Sequence, residues 1–427
     1  MKKYAYTNAC ILDGTEHMTP LTGHTVLTDG ETIEAIVPDG HDLTGYEIVD
    51  LQGQYLLPGL VNLHVHLPSS GKPKKKATDP VKLVKLMTSN NALRKVMTSM
   101  CRNFAKMELL SGVTTLRTMG GVENVDTTIR NEIRDGKAIG PRILAGNMAV
   151  SVPGGHMAYS LAYAAKDAGE AAAYVKKISW DKPDVIKLMI TGGVLDAKVK
   201  GEPGVVKMAL ELVRAACDEA HQHGLPVAAH VESTEGVRIA LENGVDTIEH
   251  GAAPTEEIIR LFKERGACHV ATLSPALPFA LFDRSVSHVS EMAQYNGDIV
   301  FRGIIDCAKA CLANDIPVGL GTDTGCPYIT HYDMWREVNY FCKYCGVTPT
   351  FALYTATKRN AEIAGLGDVT GSIEAGKCAD MIVCAKNPLE DLSALRKLSM
   401  VVARGQIIRN PKVKKMAEVE KQLDQYL

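Results

Sequence analysis

Short apolar segments recur through the middle of this chain, and helical stretches separate most of them. They are "GLVNLHVH", "VTTLRTMGG", "RILAGN", "DVIKLMITGG", "PVAAHV", "DTIEHG", "CHVATL" and "PVGLGTDTG". Strand–helix alternation of this kind calls for a parallel sheet whose strands are joined by crossover helices. Eight strand candidates over roughly 300 residues predict an α/β fold, a (β/α)8 barrel of the TIM type. A doubly wound open sheet would share the alternation, but neither a Gly-rich dinucleotide fingerprint nor a P-loop is present to support it. The helices carry their own signals. In "VVKMALELVRAACDEAHQHG", Leu210, Val213, Cys217 and Ala220 recur at helical spacing and Gly224 ends the run. "STEGVRIALENG" opens on Ser233, a good N-cap, with Glu235 near the first turn.

The two ends of the chain have a different texture. "YAYTNACILDG", "HTVLTDGETIEAIV" and "YEIVDLQGQYLLPG" show β-branched alternation broken by Asp-Gly and Gly, and "GSIEAGKCADMIVCAKN" and "MVVARGQII" return to it. The expectation is one small β-sandwich assembled from both termini, residues 1–57 and 365–427, around a barrel over 58–364. With 427 residues, 46% of them hydrophobic, the chain can fill a barrel of about 250 residues and a second unit. The segment "MKKYAYTNACILDGTEH" lacks the apolar run of a signal peptide, and no apolar segment nears the roughly 20 residues that span a bilayer. A net charge of -2 gives no global pull toward nucleic acid or an anionic membrane. Eleven scattered cysteines fit free thiols in a reducing compartment. The single C-x-x-C, Cys342 and Cys345, has no second pair to complete a zinc site and reads as two helix thiols. These features predict a soluble cytoplasmic protein.

Polar residues gather at the strand ends. His64 and His66 end the first strand, on one face by period-two alternation. Lys187 sits inside the apolar fourth strand, His230 ends the fifth, His250 ends the sixth, and Asp323 follows the eighth. Strand ends converge on one mouth of a barrel, where active sites sit. Imidazole and carboxylate donors collected there suit zinc and similar ions. A lone strand-end histidine is ordinarily a hydrogen-bonded core residue, and it is the whole set on successive strands that points to a metal. His221, His223, His269 and His288 fall on helix or early-strand positions and read as structural.

The order His-x-His, strand-four lysine, strand-five histidine, strand-six histidine, strand-eight aspartate resembles the amidohydrolase superfamily. "PGLVNLHVH" resembles its opening motif, and "GSIEAGKCADMIVCAKNPLEDL" its return to the sandwich. "VIKLMITGGV", "AAHVEST", "DTIEHG" and "GTDTG" look most like the branch of imidazolonepropionases, prolidase-like dipeptidases, Xaa-Arg/Lys carboxypeptidases and ochratoxin-type amidases. The resemblance implies two divalent metal ions, expected to be zinc. His64, His66 and Asp323 would hold one, and His230 and His250 the other. Lys187, left as a neutral amine by burial, would be carboxylated to a bridging carbamate. It implies hydrolysis of an amide bond by a metal-bound hydroxide, with Asp323 as the general acid–base group. The substrate would be a small molecule, a dipeptide or N-acyl amino acid, or alternatively a cyclic amide as in imidazolonepropionases. Relatives are commonly homo-oligomers.

Three residues are candidates for substrate contact. His156 lies in "VPGGHM", where peptide-cleaving relatives place a histidine on the substrate carboxylate. Tyr328 and His331 lie in "CPYITHYDMWRE", just past Asp323. The chain departs from the pattern at Val231, where relatives often have tyrosine, and at Asn62, where many have aspartate. The first puts the same mode of carboxylate recognition in question, and the second changes a supporting residue. The basic loop "GKPKKKATDP" is a solvated segment or a flap favouring anionic substrates. A mononuclear deaminase would lack the lysine and would carry a glutamate three residues after the strand-five histidine, whereas Glu232 is two after His230. A scaffold that has lost its ligands is disfavoured because every ligand is present.

Overall fold

The computed structural model describes residues 2–73 and 79–427, so Lys74, Lys75 and Lys76 of the basic loop lie outside the described residues. The chain divides into two compact units. Met1–Asn62, Ala105–Leu116 and His331–Leu427 form the first, and Leu63–Phe104 with Arg117–Thr330 form the second.

All eight apolar segments are strands: β1 (Leu60–Val65), β2 (Val113–Thr118), β3 (Arg142–Leu144), β4 (Ile186–Met189), β5 (Val227–Val231), β6 (Thr247–His250), β7 (Cys268–Ala271) and β8 (Val318–Leu320). β1, β2 and β3 are neighbours in one sheet, and β4 to β8 run in parallel order in another. Two links close the ring. Asp184 N–H donates to Ala145 O just beyond β3, at 2.8 Å. Val65 bridges Thr324 just beyond β8. The fold is therefore a (β/α)8 barrel. β1, β2, β4 and β5 are buried on both faces, as expected of parallel strands covered by helices. Two further strands, Ala149–Ser151 and Ala162–Ala164, extend the sheet beside β4, where Val150 pairs with Leu188.

The helix Leu210–Gln222 buries Val213, Cys217 and Ala220, but Leu210 is 53% exposed. Leu210 is the first helical residue, and the apolar stripe starts at Leu212 instead. Ser233 caps Thr234–Glu242 by accepting from Gly236 N–H, as its position predicts.

The first unit contains the β-sandwich of both termini. One sheet orders Thr32–Pro38, His24–Asp29, Lys3–Thr7 and Glu47–Asp50. The other orders Gln406–Arg409, Leu398–Ala403, Met381–Cys384, Tyr55–Pro58 and Cys10–Ile11, with Met381 opposite Pro58. Val26, Ile33, Leu56, Met381, Val383 and Val402 pack into one core. No helix among the described residues is long and apolar enough to cross a membrane.

Candidate functional site

The site is built at the ends of β1, β4, β5, β6 and β8. His64, His66, Lys187, His230, His250 and Asp323 all line one cavity of about 220 Å³. Two of them have left-handed backbones, His250 with φ 65° and Asp323 with φ 53°. Such conformations are uncommon outside glycine and gather at functional sites. Each is pinned by a backbone bond: His269 Nε2–H donates to His250 O at 2.7 Å, and Asp323 N–H donates to His64 O at 2.8 Å.

Each strand-end histidine has one ring nitrogen already engaged. His64 Nδ1–H donates to Glu249 Oε2 at 2.8 Å, and His66 Nδ1–H to Gly120 O at 2.8 Å. His250 Nδ1 meets Thr272 Oγ1 at 2.6 Å, and His230 Nε2 faces Gly192 O at 3.4 Å. A neutral ring that donates from Nδ1 keeps a bare lone pair on Nε2. Yet His66 Nε2 lies 3.1 Å from Asp323 Oδ1, and His64 Nε2 lies 3.5 Å from the same oxygen. Ring nitrogens that close to one carboxylate oxygen are satisfied by a proton on the ring or by a cation held between them. His64, His250 and Asp323 each offer a ligand atom within 4.8 Å of the others. By donor type and by this spacing, the residues fit a divalent ion of the zinc kind.

Electrostatics agree with that arrangement. Burial lowers His64 to about 4, with Lys187 adding to the fall. It holds His230 and His250 well below the ordinary histidine value. Burial also pulls Lys187 down to about 8, against the opposing charges of Glu249 and Asp323, and its Nζ lies 3.5 Å from His64 Nε2. Asp323 stays well below the usual carboxylate range. Burial works against ionisation there, but His64, His66 and His250 outweigh it. Cys326 Sγ, 3.6 Å from Asp323 Oδ2, completes that carboxylate's surroundings as a thiol donor.

His156 is brought to the same cavity. Its ring stacks on His230 with centroids 4.2 Å apart, and its Nδ1 lies 2.6 Å from Asp196 Oδ2. Gly193 N–H also donates to that oxygen, at 2.9 Å. Tyr328 and His331 are not among the residues that line the cavity. The Tyr328 hydroxyl donates to Val286 O at 2.8 Å and its ring packs edge-on to Phe282. His331 is buried in the first unit, its Nδ1 3.1 Å from Glu108 Oε1, and Asn62 Nδ2 reaches the other oxygen of Glu108 at 3.4 Å.

Several residues escaped the sequence reading. Glu249, fully buried, accepts from His64 and, through Oε1, from Arg117 at 2.7 Å and Thr247 at 2.9 Å. Burial would raise its carboxyl, but Arg117 and His64 hold it far below the usual range. Arg117 Nε–H donates to Leu63 O at 2.9 Å, tying β2 to β1 beneath the ligands. The signal was present: an arginine in "VTTLRTMGG" and a glutamate in "DTIEHG" stand in buried strands, and buried charges need partners. Asp196, which orients His156, had no comparable signal in its loop. The cavity is also lined by apolar residues, Pro275, Phe279, Val300, Ile304 and Leu161 among them.

The barrel, and a mouth carrying four histidines, a lysine and an aspartate, define the class: an α/β-barrel protein with a strand-end site suited to divalent metals. More particularly, the chain belongs to the amidohydrolase family, whose model matches residues 55–408. Among curated proteins, an ochratoxinase of Aspergillus niger is 28% identical over 234 residues, 53% of this chain and 46% of that protein, so the match spans about half of its length. An imidazolonepropionase of Chromobacterium violaceum is 24% identical over 391 residues, 85% of each chain. Among solved structures, a candidate prolidase from Bifidobacterium longum has a TM-score of 0.88 and 33% identity, covering 99% of this chain and 98% of that one. A Xaa-Pro dipeptidase with methionine bound in its active site has a TM-score of 0.83 and 27% identity, covering 96% of this chain and 100% of that one.

Proposed function

We propose that this protein is a binuclear metal-dependent amidohydrolase that cleaves an amide bond of a dipeptide or N-acyl amino acid. The observation that carries the reading is the pair of histidine ring nitrogens facing Asp323 Oδ1 at 3.1 and 3.5 Å, within a mouth that also holds Lys187, His230 and His250. His64, His66 and Asp323 would hold one ion and His230 with His250 the other, zinc being favoured by the imidazole-rich donor set. Lys187, brought toward neutrality by burial, is the amine that would take up carbon dioxide as a bridging carbamate. When bound, such ions polarise a carbonyl and lower the pKa of water to about 7.

The chain's own groups supply the rest. Asp323 is held ionised beside the reacting space and can accept a proton from water, then deliver it to the departing nitrogen. His156, fixed by Asp196 and by the stack on His230, presents its Nε2 edge to a substrate carboxylate. The apolar lining residues Phe279, Val300 and Ile304 suit an uncharged side chain of the substrate. The eleven free cysteines support a reducing, cytoplasmic setting.

The test is a screen of the zinc-loaded protein against dipeptides, N-acyl amino acids and cyclic amides. Cleavage of peptide or N-acyl bonds supports the reading. Ring opening of imidazolonepropionate alone replaces it with the cyclic-amide reading, which the 85% coverage of the imidazolonepropionase match favours.

A further inference from the structure

Glu232 has no part in the ligand set above, yet it lines the same cavity. It stands two residues past His230, just beyond the end of β5. Its position is over-determined. Its N–H donates to Thr191 Oγ1 at 3.0 Å. A Cβ on Gly204 would fall 2.3 Å from Glu232 O, so the loop after β4 closes on it only because residue 204 is glycine. The Val194 N–H lies against the carboxyl, but Oε2 is sealed from solvent and has no hydrogen-bond partner. The strongest charges around it are Asp323 and Asp196, both acidic. A buried carboxylate oxygen among carboxylates, with no donor, is costly unless a proton or a cation meets it.

The geometry names the cation's place. A carboxylate oxygen of Glu232, a ring nitrogen of His230 and a ring nitrogen of His250 lie within 4.8 Å of one another. His250 Nδ1 is taken by Thr272 and His230 Nε2 faces Gly192 O, which leaves His250 Nε2 and His230 Nδ1. We propose that Glu232 is a third protein ligand of the second cation, beside His230 and His250. This rests on the binuclear reading above. It gives the second site an anionic donor of its own, so that ion is not held by two neutral imidazoles and a shared carbamate alone.

The experiment measures metal, not turnover. The full-length chain is loaded with zinc, and ions per chain and their affinities are read by chelator competition, in wild type and Glu232→Gln. Wild type is expected to hold two ions. In Glu232→Gln one of them should weaken by about tenfold to a hundredfold, as for lost metal-site partners generally. The other, on His64, His66 and Asp323, should keep its affinity and so report an intact barrel. A crystal structure of the zinc-loaded wild type gives a second measurement that needs no variant: a Glu232 oxygen at about 2.0–2.2 Å from the second ion supports the proposal, and a separation beyond about 3 Å overturns it. Two ions of unchanged affinity in Glu232→Gln overturn the proposal alone, leaving Glu232 to meet a substrate ammonium. A wild type holding a single ion overturns the binuclear reading, and this inference with it.

Discussion

His64 can offer Nε2 to the cavity because Glu249 takes its Nδ1–H, and Glu249 can stay ionised in the core because Arg117 and Thr247 hold its other oxygen. Such a carboxylate fixes the tautomer and raises the basicity of the ligand. Glu249→Gln is expected to weaken the ion on His64, His66 and Asp323 by about tenfold to a hundredfold. It should also cost about 3–5 kcal/mol of stability, because Arg117 is left buried without its counter-charge. Chelator competition and urea unfolding measure the two effects, and wild-type values in both would mean that His64 is oriented by something else. His156→Asn makes a different signature. A hydrogen bond to a charged group is worth about 1.5–3 kcal/mol, so kcat/KM should fall roughly tenfold to a hundredfold for substrates with a free carboxylate. Their amides should change little, and an equal loss for both would place His156 at the scissile carbonyl instead. These two residues also mark what single residues reveal in a sequence. His156 could be singled out because its place in "VPGGHM" resembles that of a substrate-contacting histidine in peptide-cleaving relatives. The pairing of Glu249 with Arg117 joins positions 132 apart and becomes visible only when β2 and β6 face the same interior.

The seam between β1 and β8 decides where Asp323 stands relative to His64. Gly321 permits the close approach: a Cβ built there would lie 2.5 Å from His64 Cβ and 2.7 Å from His64 N. Asp323 N–H then reaches His64 O at 2.8 Å, and His66 N–H reaches Thr324 O at 3.0 Å. In Gly321→Ala the end of β8 must move away from β1. Overpacking of this kind costs about 1–3 kcal/mol. The variant should therefore lose metal affinity at the His64–His66–Asp323 position as well as thermal stability. A melting curve with and without zinc checks both, and a variant with wild-type zinc stabilisation would show that the seam tolerates the methyl group. The sequence made the eight barrel strands legible because each is a short apolar run bounded by glycine or by a helix signal. It did not reveal Ala149–Ser151 and Ala162–Ala164, which at three residues each are too short to show a period. The helix Ala417–Leu423 was also not anticipated. It buries only Val419 and Leu423 as an apolar pair and is held by charge as well, with Arg336 and Arg396 both reaching Glu420 and Asp424.

At the scale of the whole molecule, the change of texture at both ends foretold a shared β-sandwich. The register that puts Met381 opposite Pro58 could not be read, because it depends on pairing strands from opposite ends of the chain. The whole molecule is also where metal binding becomes stability. The cavity gathers imidazole nitrogens, carboxylate oxygens and an amine, most of them buried, and Glu232 Oε2 among them has no hydrogen-bond partner. An ion bound only by the folded chain stabilises it by mass action, about 2.7 kcal/mol when the free ion is at 100 times its Kd. The melting temperature should accordingly fall after exhaustive dialysis against a chelator and rise again with the logarithm of added zinc. The identity of the ion sharpens the test. Imidazole-rich sites follow the order manganese, cobalt, zinc in rising affinity, whereas magnesium prefers oxygen donors and keeps its water. At equal free concentration the rise in Tm should be greatest for zinc, smaller for cobalt, smaller again for manganese and near zero for magnesium. If magnesium matched zinc, oxygen donors elsewhere on the chain would be binding the ion, and the histidines of β1, β5 and β6 would no longer explain the site.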